Sequence, residues 1–135
     1  MERIISNINH HLLHIVVRSE DIAPGRVNLI DDYEFLQCAL LNLPKGTTFK
    51  PHQHKWKGLN QMVIAQESWV VISGKVKCIF YDLDGTLLKE VILNAGDASF
   101  TLQGGHNYEI LEEGTKVLEY KTGPYTGQQA DKKFI

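Results

Sequence analysis

The sequence predicts an all-β domain rolled into a double-sheet barrel. Three observations predict it. From Gly46 onward, turn signals recur at roughly eight- to twelve-residue intervals, as in sandwiches and barrels. The runs between them are rich in β-branched and aromatic residues. No segment carries a long helical period. Several strands in one short chain leave edges to manage, and a rolled double sheet covers them while enclosing a pocket.

Taken in order, LLHIVV is the first strand-like run, and Pro24-Gly25 interrupts the chain after it. Asp31 to Phe35 can begin a short helix, but the apolar continuation FLQCALLNL reads as a strand. Pro44-Lys45-Gly46 turns the chain into an extended stretch carrying His52-Gln53-His54. SWVVIS and KVKCIFYD follow, separated by Ser73-Gly74. Asp84-Gly85 is a turn pair between alternating runs, so KVKCIFYDLDGTLLKEVIL predicts a β-hairpin. ASFTL, YEIL and KVLEY complete the set, bounded by Asn94-Ala95-Gly96, Gly104-Gly105, Glu113-Gly114 and Gly123-Pro124.

The chain has 135 residues, which fits one domain and one core. The expected organisation is N-terminal strands over 1–45, a core over 46–122 and a C-terminal tail over 123–135. A net charge of −2 gives no basic footprint for nucleic acid. Lys45, Lys50, Lys55 and Lys57 cluster around the histidine pair, either as a solvated loop or as a patch for a phosphate or sugar nucleotide. No apolar run approaches the ~20 residues of a membrane span. The N-terminus, MERIISNINHHLLHIVV, lacks the apolar core of a signal peptide, so the default location is cytoplasmic. Cys38 and Cys78 lie in apolar runs without a CxxC partner and read as buried thiols, a disulfide between them staying open.

Four residues point to chemistry: His52, His54, Glu67 and His106. Three imidazoles and a carboxylate suit a divalent transition metal. On a strand, His52 and His54 face the same way. Glu67 shares a face with Trp69 and Val71, and a carboxylate buried there needs a partner or an ion. His106 shares a face with Tyr108 and Ile110. Tyr108 is either a core aromatic with a satisfied hydroxyl or a proton donor in the pocket. His10, His11 and His14 read as a solvated terminal group. Trp56, within the stretch 55–66, reads either as part of a flexible loop or as a lid over a bound sugar.

Gly46-x5-His52-x-His54 … Glu67-x6-Gly74 resembles the first motif of the cupins, and Gly96-x5-Leu102-x-Gly104-Gly105-His106 is similar to the second. The resemblance implies a jelly-roll, or double-stranded β-helix, in which His52, His54, Glu67 and His106 bind metal. Twelve residues separate His54 from Glu67, where the family usually has three or four. The second motif has Leu102 in place of its usual proline, and His106 stands one residue early. The runs QESWVVISGKVKCIFYDLDG and YKTGPYTGQQADKKFI resemble small single-domain RmlC-like cupins of the sugar-epimerase-like and polysaccharide-biosynthesis kind. That implies a sugar or nucleotide-sugar ligand and a homodimer.

Asp82-Leu83-Asp84-Gly85-Thr86 matches the DxDGT signature of haloacid-dehalogenase-type phosphatases. Their nucleophile requires a strand followed by a helix in a parallel sheet. Here LLKEVIL returns as a strand, so a hairpin turn is the reading.

The expected function is therefore metal-dependent isomerisation or epimerisation of a sugar, with Fe, Mn, Ni or Zn as the ion. Six-coordinate Fe(II), Mn(II) or Ni(II) leaves two open positions, and tetrahedral Zn(II) leaves none. The alternatives are a non-catalytic carbohydrate- or metabolite-binding protein and an Fe(II)-dependent oxygenase.

Overall fold

The computed structural model describes residues 1–58 and 62–135. In chain order the strands are β1 (Glu2–Ile5), β2 (Leu12–Val16), β3 (Gly25–Asn28), β4 (Leu36–Asn42), β5 (His52–His54), β6 (Trp56–Lys57) and β7 (Val63–Ile64). They continue with β8 (Glu67–Ser73), β9 (Lys75–Tyr81), β10 (Leu87–Asn94), β11 (Ala98–Thr101), β12 (Gly105–Ile110), β13 (Lys116–Thr122) and β14 (Lys132–Phe134). Two five-stranded sheets form the barrel, ordered β10-β9-β12-β5-β14 and β11-β8-β13-β4-β3. The hairpins β1-β2 and β6-β7 stand apart from them.

The chain passes repeatedly between the two sheets. Ser73-Gly74 carries it from β8 in one to β9 in the other. Gly74 has φ +80°, and a Cβ there would lie 2.3 Å from Thr115 Oγ1, so the position needs glycine for both backbone and space. Asp84-Gly85 does turn the β9-β10 hairpin as expected, with Asp84 Oδ1 accepting from the Thr86 amide and hydroxyl. The DxDGT match is a turn.

Between the sheets lies a core of Leu41, Trp69, Val71, Val76, Cys78, Leu93, Tyr108, Ile110 and Val117. Each strand contributes alternate residues, which is the physical content of the period-2 pattern. A second cluster, Ile22, Leu29, Cys38 and Leu40, is packed by Val17, Ile30, Ile72, Leu118 and Tyr120. Residues 38–41 of β4 are therefore buried on both faces, which explains why FLQCALLNL is continuously apolar rather than alternating. Cys38 and Cys78 are both buried free thiols.

Three local features differ from expectation. Residues 31–35 form turns rather than a helix start, with the Glu34 amide bonded to the Asp31 carbonyl. A 3-10 turn at Ser19–Asp21 and a one-turn helix α1 at Gln128–Asp131 occur where no helix was expected. The stretch 123–135, read as a tail, ends in β14, which pairs with β5 and lies directly against the histidine pair. Among the described residues, no helix is long and apolar enough to cross a membrane.

Candidate metal centre

The site is assembled across the two sheets. His52 and His54 alternate on β5, so both rings point into the barrel. His106 on β12 stands opposite His52 in antiparallel register, and the two ring centroids are 4.5 Å apart. Directly opposed residues share a face, which brings the third imidazole to the first two. Gly104, at φ +81°, positions that strand, since a Cβ there would lie 2.6 Å from the Tyr81 carbonyl oxygen. Glu67 comes from β8 in the facing sheet. All four residues are buried, and each offers one ligand atom within 4.8 Å of the others.

Outer partners fix the ring orientations of the histidine pair. His52 Nδ1 lies 3.0 Å from the Lys50 carbonyl oxygen. That oxygen only accepts, so Nδ1 carries the proton and Nε2 presents a lone pair inward. His54 Nδ1 lies 3.1 Å from Asp131 Oδ2, with the same consequence. The Glu67 carboxylate stands 3.3 Å from both His54 Nε2 and His106 Nε2. Even so, the Nε2 atoms of all three rings lack a partner in hydrogen-bonding geometry among the described residues. Buried imidazole nitrogens gathered around a carboxylate without partners of their own make a site that a cation between them would complete.

The electrostatics agree at Glu67 and His52. Burial alone would raise the Glu67 pKa, but His106 and His54 hold it well below the usual carboxylate range. Burial disfavours charge on His54, yet Asp131 and Glu67 outweigh it and raise that pKa. His52 is pulled down to about 4 by burial, His106 and Lys132, so it is a neutral imidazole at physiological pH. An ionised Glu67 and a neutral His52 are the protonation states a metal ion needs, and on His54 the ion would take the place of the proton that Asp131 and Glu67 favour. The residues fit a divalent transition metal.

A cavity of about 210 Å³ opens beside this group, with His52 and Glu67 in its lining. The Trp69 indole N–H donates to Glu67 Oε1 at 3.2 Å and to Glu119 Oε2 at 3.1 Å. Arg26 grips Glu119 with two N–H···O bonds of 3.0 and 2.6 Å. Tyr108 stacks on Trp69 with centroids 4.0 Å apart, and its hydroxyl meets Ser99 Oγ at 3.3 Å. Burial and the nearby Glu67 charge push the Tyr108 pKa far upward. Such a phenol keeps its proton at neutral pH.

Sequence reasoning missed Arg26, Glu119, Asp131 and Lys132. Asp131 is fully buried and meets His54, Lys57 and Lys121. A signal for Glu119 existed, because Val117, Glu119 and Lys121 alternate on one face of a core strand. For Asp131 the only signal was the alternation of Lys132 and Phe134 just after it. The clustered lysines disperse. Lys45 and Lys50 are exposed, Lys55 donates to the Gln129 carbonyl at 2.7 Å, and Lys57 pairs with Asp131. Trp56 is half-exposed on the β6-β7 hairpin, which takes up part of the stretch 55–66. The tip at 59–61 lies outside the described residues, and with it the choice between loop and lid. His10, His11 and His14 are exposed, away from the site.

No family model matches this sequence, and no curated protein does. Solved structures do match. An oxalate decarboxylase from Lactobacillus farciminis, in a formate complex, is 19% identical with a TM-score of 0.60 over 84% of this chain and 32% of that one. The SPY1581 protein of unknown function from Streptococcus pyogenes is 15% identical with a TM-score of 0.59, covering 93% and 98%. An uncharacterised protein with a double-stranded β-helix domain from Klebsiella pneumoniae is 18% identical with a TM-score of 0.54, covering 83% and 86%. The chain spans only 22% of the coconut allergen cocosin, which it also resembles. At these identities what is shared is the fold, and that fold is the cupin-type double-stranded β-helix.

Proposed function

We propose that this chain binds one divalent ion at His52, His54, Glu67 and His106 and isomerises or epimerises a small sugar or nucleotide-sugar in the adjoining cavity. The observation that carries the reading is the convergence of three unpartnered, buried imidazole nitrogens on one buried carboxylate. An open divalent ion supplies polarisation of a carbonyl or chelation of a diol.

The protein's own groups orient the ligand set and shape the cavity. The Lys50 carbonyl and Asp131 orient the two β5 imidazoles. The Trp69 indole holds one Glu67 oxygen in place. Trp69 and Phe49 supply an apolar wall, and the Arg26–Glu119 pair supplies hydrogen-bonding edges suited to hydroxyl groups. The oxalate decarboxylase among the similar folds is described with formate, a small oxygen ligand, which is in keeping with a small-molecule cavity.

Elemental analysis of protein purified without a histidine tag tests the metal. The expected content is about one ion per chain, lost in His52→Ala/His54→Ala. Equal metal in both proteins would sink the assignment. The reaction is tested by incubating the loaded protein with keto- and aldo-sugars or nucleotide-sugars in D₂O. Isomerisation places solvent deuterium on the carbon next to the carbonyl. Tight, saturable binding with no exchange would instead identify a non-catalytic binding protein. The proposal extends to a homodimer joined through sheet edges, β3, β10, β11 and β14 being the edge strands. Light scattering at the mass of a single chain would refute that part.

A further inference from the structure

Lys132 has no role in the metal group, yet its position is specific. It lies opposite His54 in the β14-β5 register, and opposed residues share a face. Its side chain therefore turns inward and lines the cavity beside His52 and Glu67. The other cations of this cavity are matched: Arg26 is held by Glu119, and Lys121 lies 3.3 Å from Asp131. Lys132 has no carboxylate at ion-pair distance among the described residues. Burial pulls its ammonium below the usual lysine value, against the attraction of Glu67.

A half-buried ammonium without a counter-ion is costly, and a lysine with no such duty would extend to solvent. The charge balance around the cavity sharpens the point. Arg26, Lys57, Lys121 and Lys132 are offset by Asp32, Glu67, Glu119 and Asp131. A divalent ion at the histidine group would leave its own charge unmatched. The cavity would then be positive at one wall, with an ammonium aimed into it.

We propose that Lys132 forms a subsite for a small oxyanion, a carboxylate or phosphate group of the ligand, next to the His52–Glu67 side of the metal group. The inference rests on the metal reading for its full charge balance, but the subsite is a property of β14 and is tested separately. It narrows the ligand class from sugars in general to sugar acids, sugar phosphates or comparable small anions.

The test is calorimetric titration of malonate, inorganic phosphate and neutral glycerol into protein loaded with Mn²⁺. Elemental analysis and thermal melting of every variant accompany it. Saturable binding of malonate or phosphate is expected, with glycerol silent. Lys132→Met should weaken the anion about tenfold or more, as for loss of a charge-assisted hydrogen bond, while Lys132→Arg stays close to wild type. Both variants should keep wild-type metal content and melting temperature. The tighter of the two anions identifies the source, malonate for a carboxylate and phosphate for a phosphoryl group. Unchanged anion affinity in a folded Lys132→Met, or no anion binding to stoichiometrically loaded wild type, overturns the proposal. If no metal loads at all, the metal reading fails instead. The same titration on metal-free protein then decides Lys132, with loss of binding in Lys132→Met supporting it and equal binding refuting it.

Discussion

At the scale of single residues, the most consequential side chain outside the four candidate ligands is Asp131. It is fully buried, holds His54 Nδ1 and accepts from Lys57 and Lys121. Removing the carboxylate leaves two ammonium groups and an imidazole without their anion. Asp131→Ala should therefore cost about 3–5 kcal/mol, the range for breaking a buried ion pair. It should also weaken metal binding roughly 10- to 100-fold, as for loss of an outer partner of a metal histidine. Denaturant unfolding and competitive chelation measure the two effects. Full metal affinity in a folded Asp131→Ala would show that His54 needs no support. The thiols give a pH prediction. Burial pushes Cys38 and Cys78 each up to about 11. Since the thiolate is the reactive form, neither should react with a disulfide reagent at pH 8 until the protein unfolds. The sign for stability follows. A raised folded-state pKa gives stability that is complete below the unfolded thiol value of ~8.5 and is lost as pH rises toward 11. Rapid labelling of native protein at pH 8 would contradict this burial.

At the scale of elements, Gly74 is the tightest constraint on the passage between sheets. Gly74→Ala places a Cβ in the left-handed region and against Thr115 backbone and side chain alike. A loss of about 1–3 kcal/mol is expected, read as a lowered melting temperature. Asp82→Asn, in contrast, should leave metal content and melting unchanged, because Asp82 belongs to the hairpin turn. The long strands β8, β9, β10 and β13 were legible in the sequence because each runs seven or eight residues between turn signals. The ligand group was legible in two steps: strand alternation places His52 with His54, and Glu67 with Trp69, while the resemblance to the cupin motifs is what joined Glu67 and His106 to the pair. The one-residue shift of His106 is absorbed by register, because pairing with β5 sets it opposite His52. What stayed hidden depends on long-range pairing. Strand β14 is three residues long and is a strand only because β5 offers it an open edge. Beyond the alternation of Lys132 and Phe134, Lys132 and Asp131 therefore had no local signal of function. Arg26 likewise reaches the site only through the β3-β4 pairing and its grip on Glu119, 93 positions away.

At the scale of the whole molecule, the ligand group joins the two halves of the barrel. His52, His54 and His106 belong to one sheet and Glu67 to the other. An ion held by all four is a cross-link between sheets that otherwise meet mainly through apolar side chains, with the Tyr108–Ser99 hydroxyl contact among them. The unfolded chain lacks this arrangement, because residues 52 to 106 are brought together only by folding. Binding free energy is then folding free energy. At metal concentrations a hundredfold above the dissociation constant, the gain is about 2.7 kcal/mol. For a chain of this size that corresponds to a rise of roughly 8–11 °C in melting temperature. Chelator-treated wild type should gain that increment when Mn²⁺, Fe²⁺, Ni²⁺ or Zn²⁺ is restored. His52→Ala/His54→Ala should not gain it, although the double variant still folds. A variant retaining Glu67 and His106 alone keeps one ligand on each sheet but too few donors to hold the ion. A metal-induced rise of equal size in wild type and double variant would place the ion elsewhere on the surface. No rise in either would remove the cross-link from the account of stability, and the barrel would then stand on its apolar core alone.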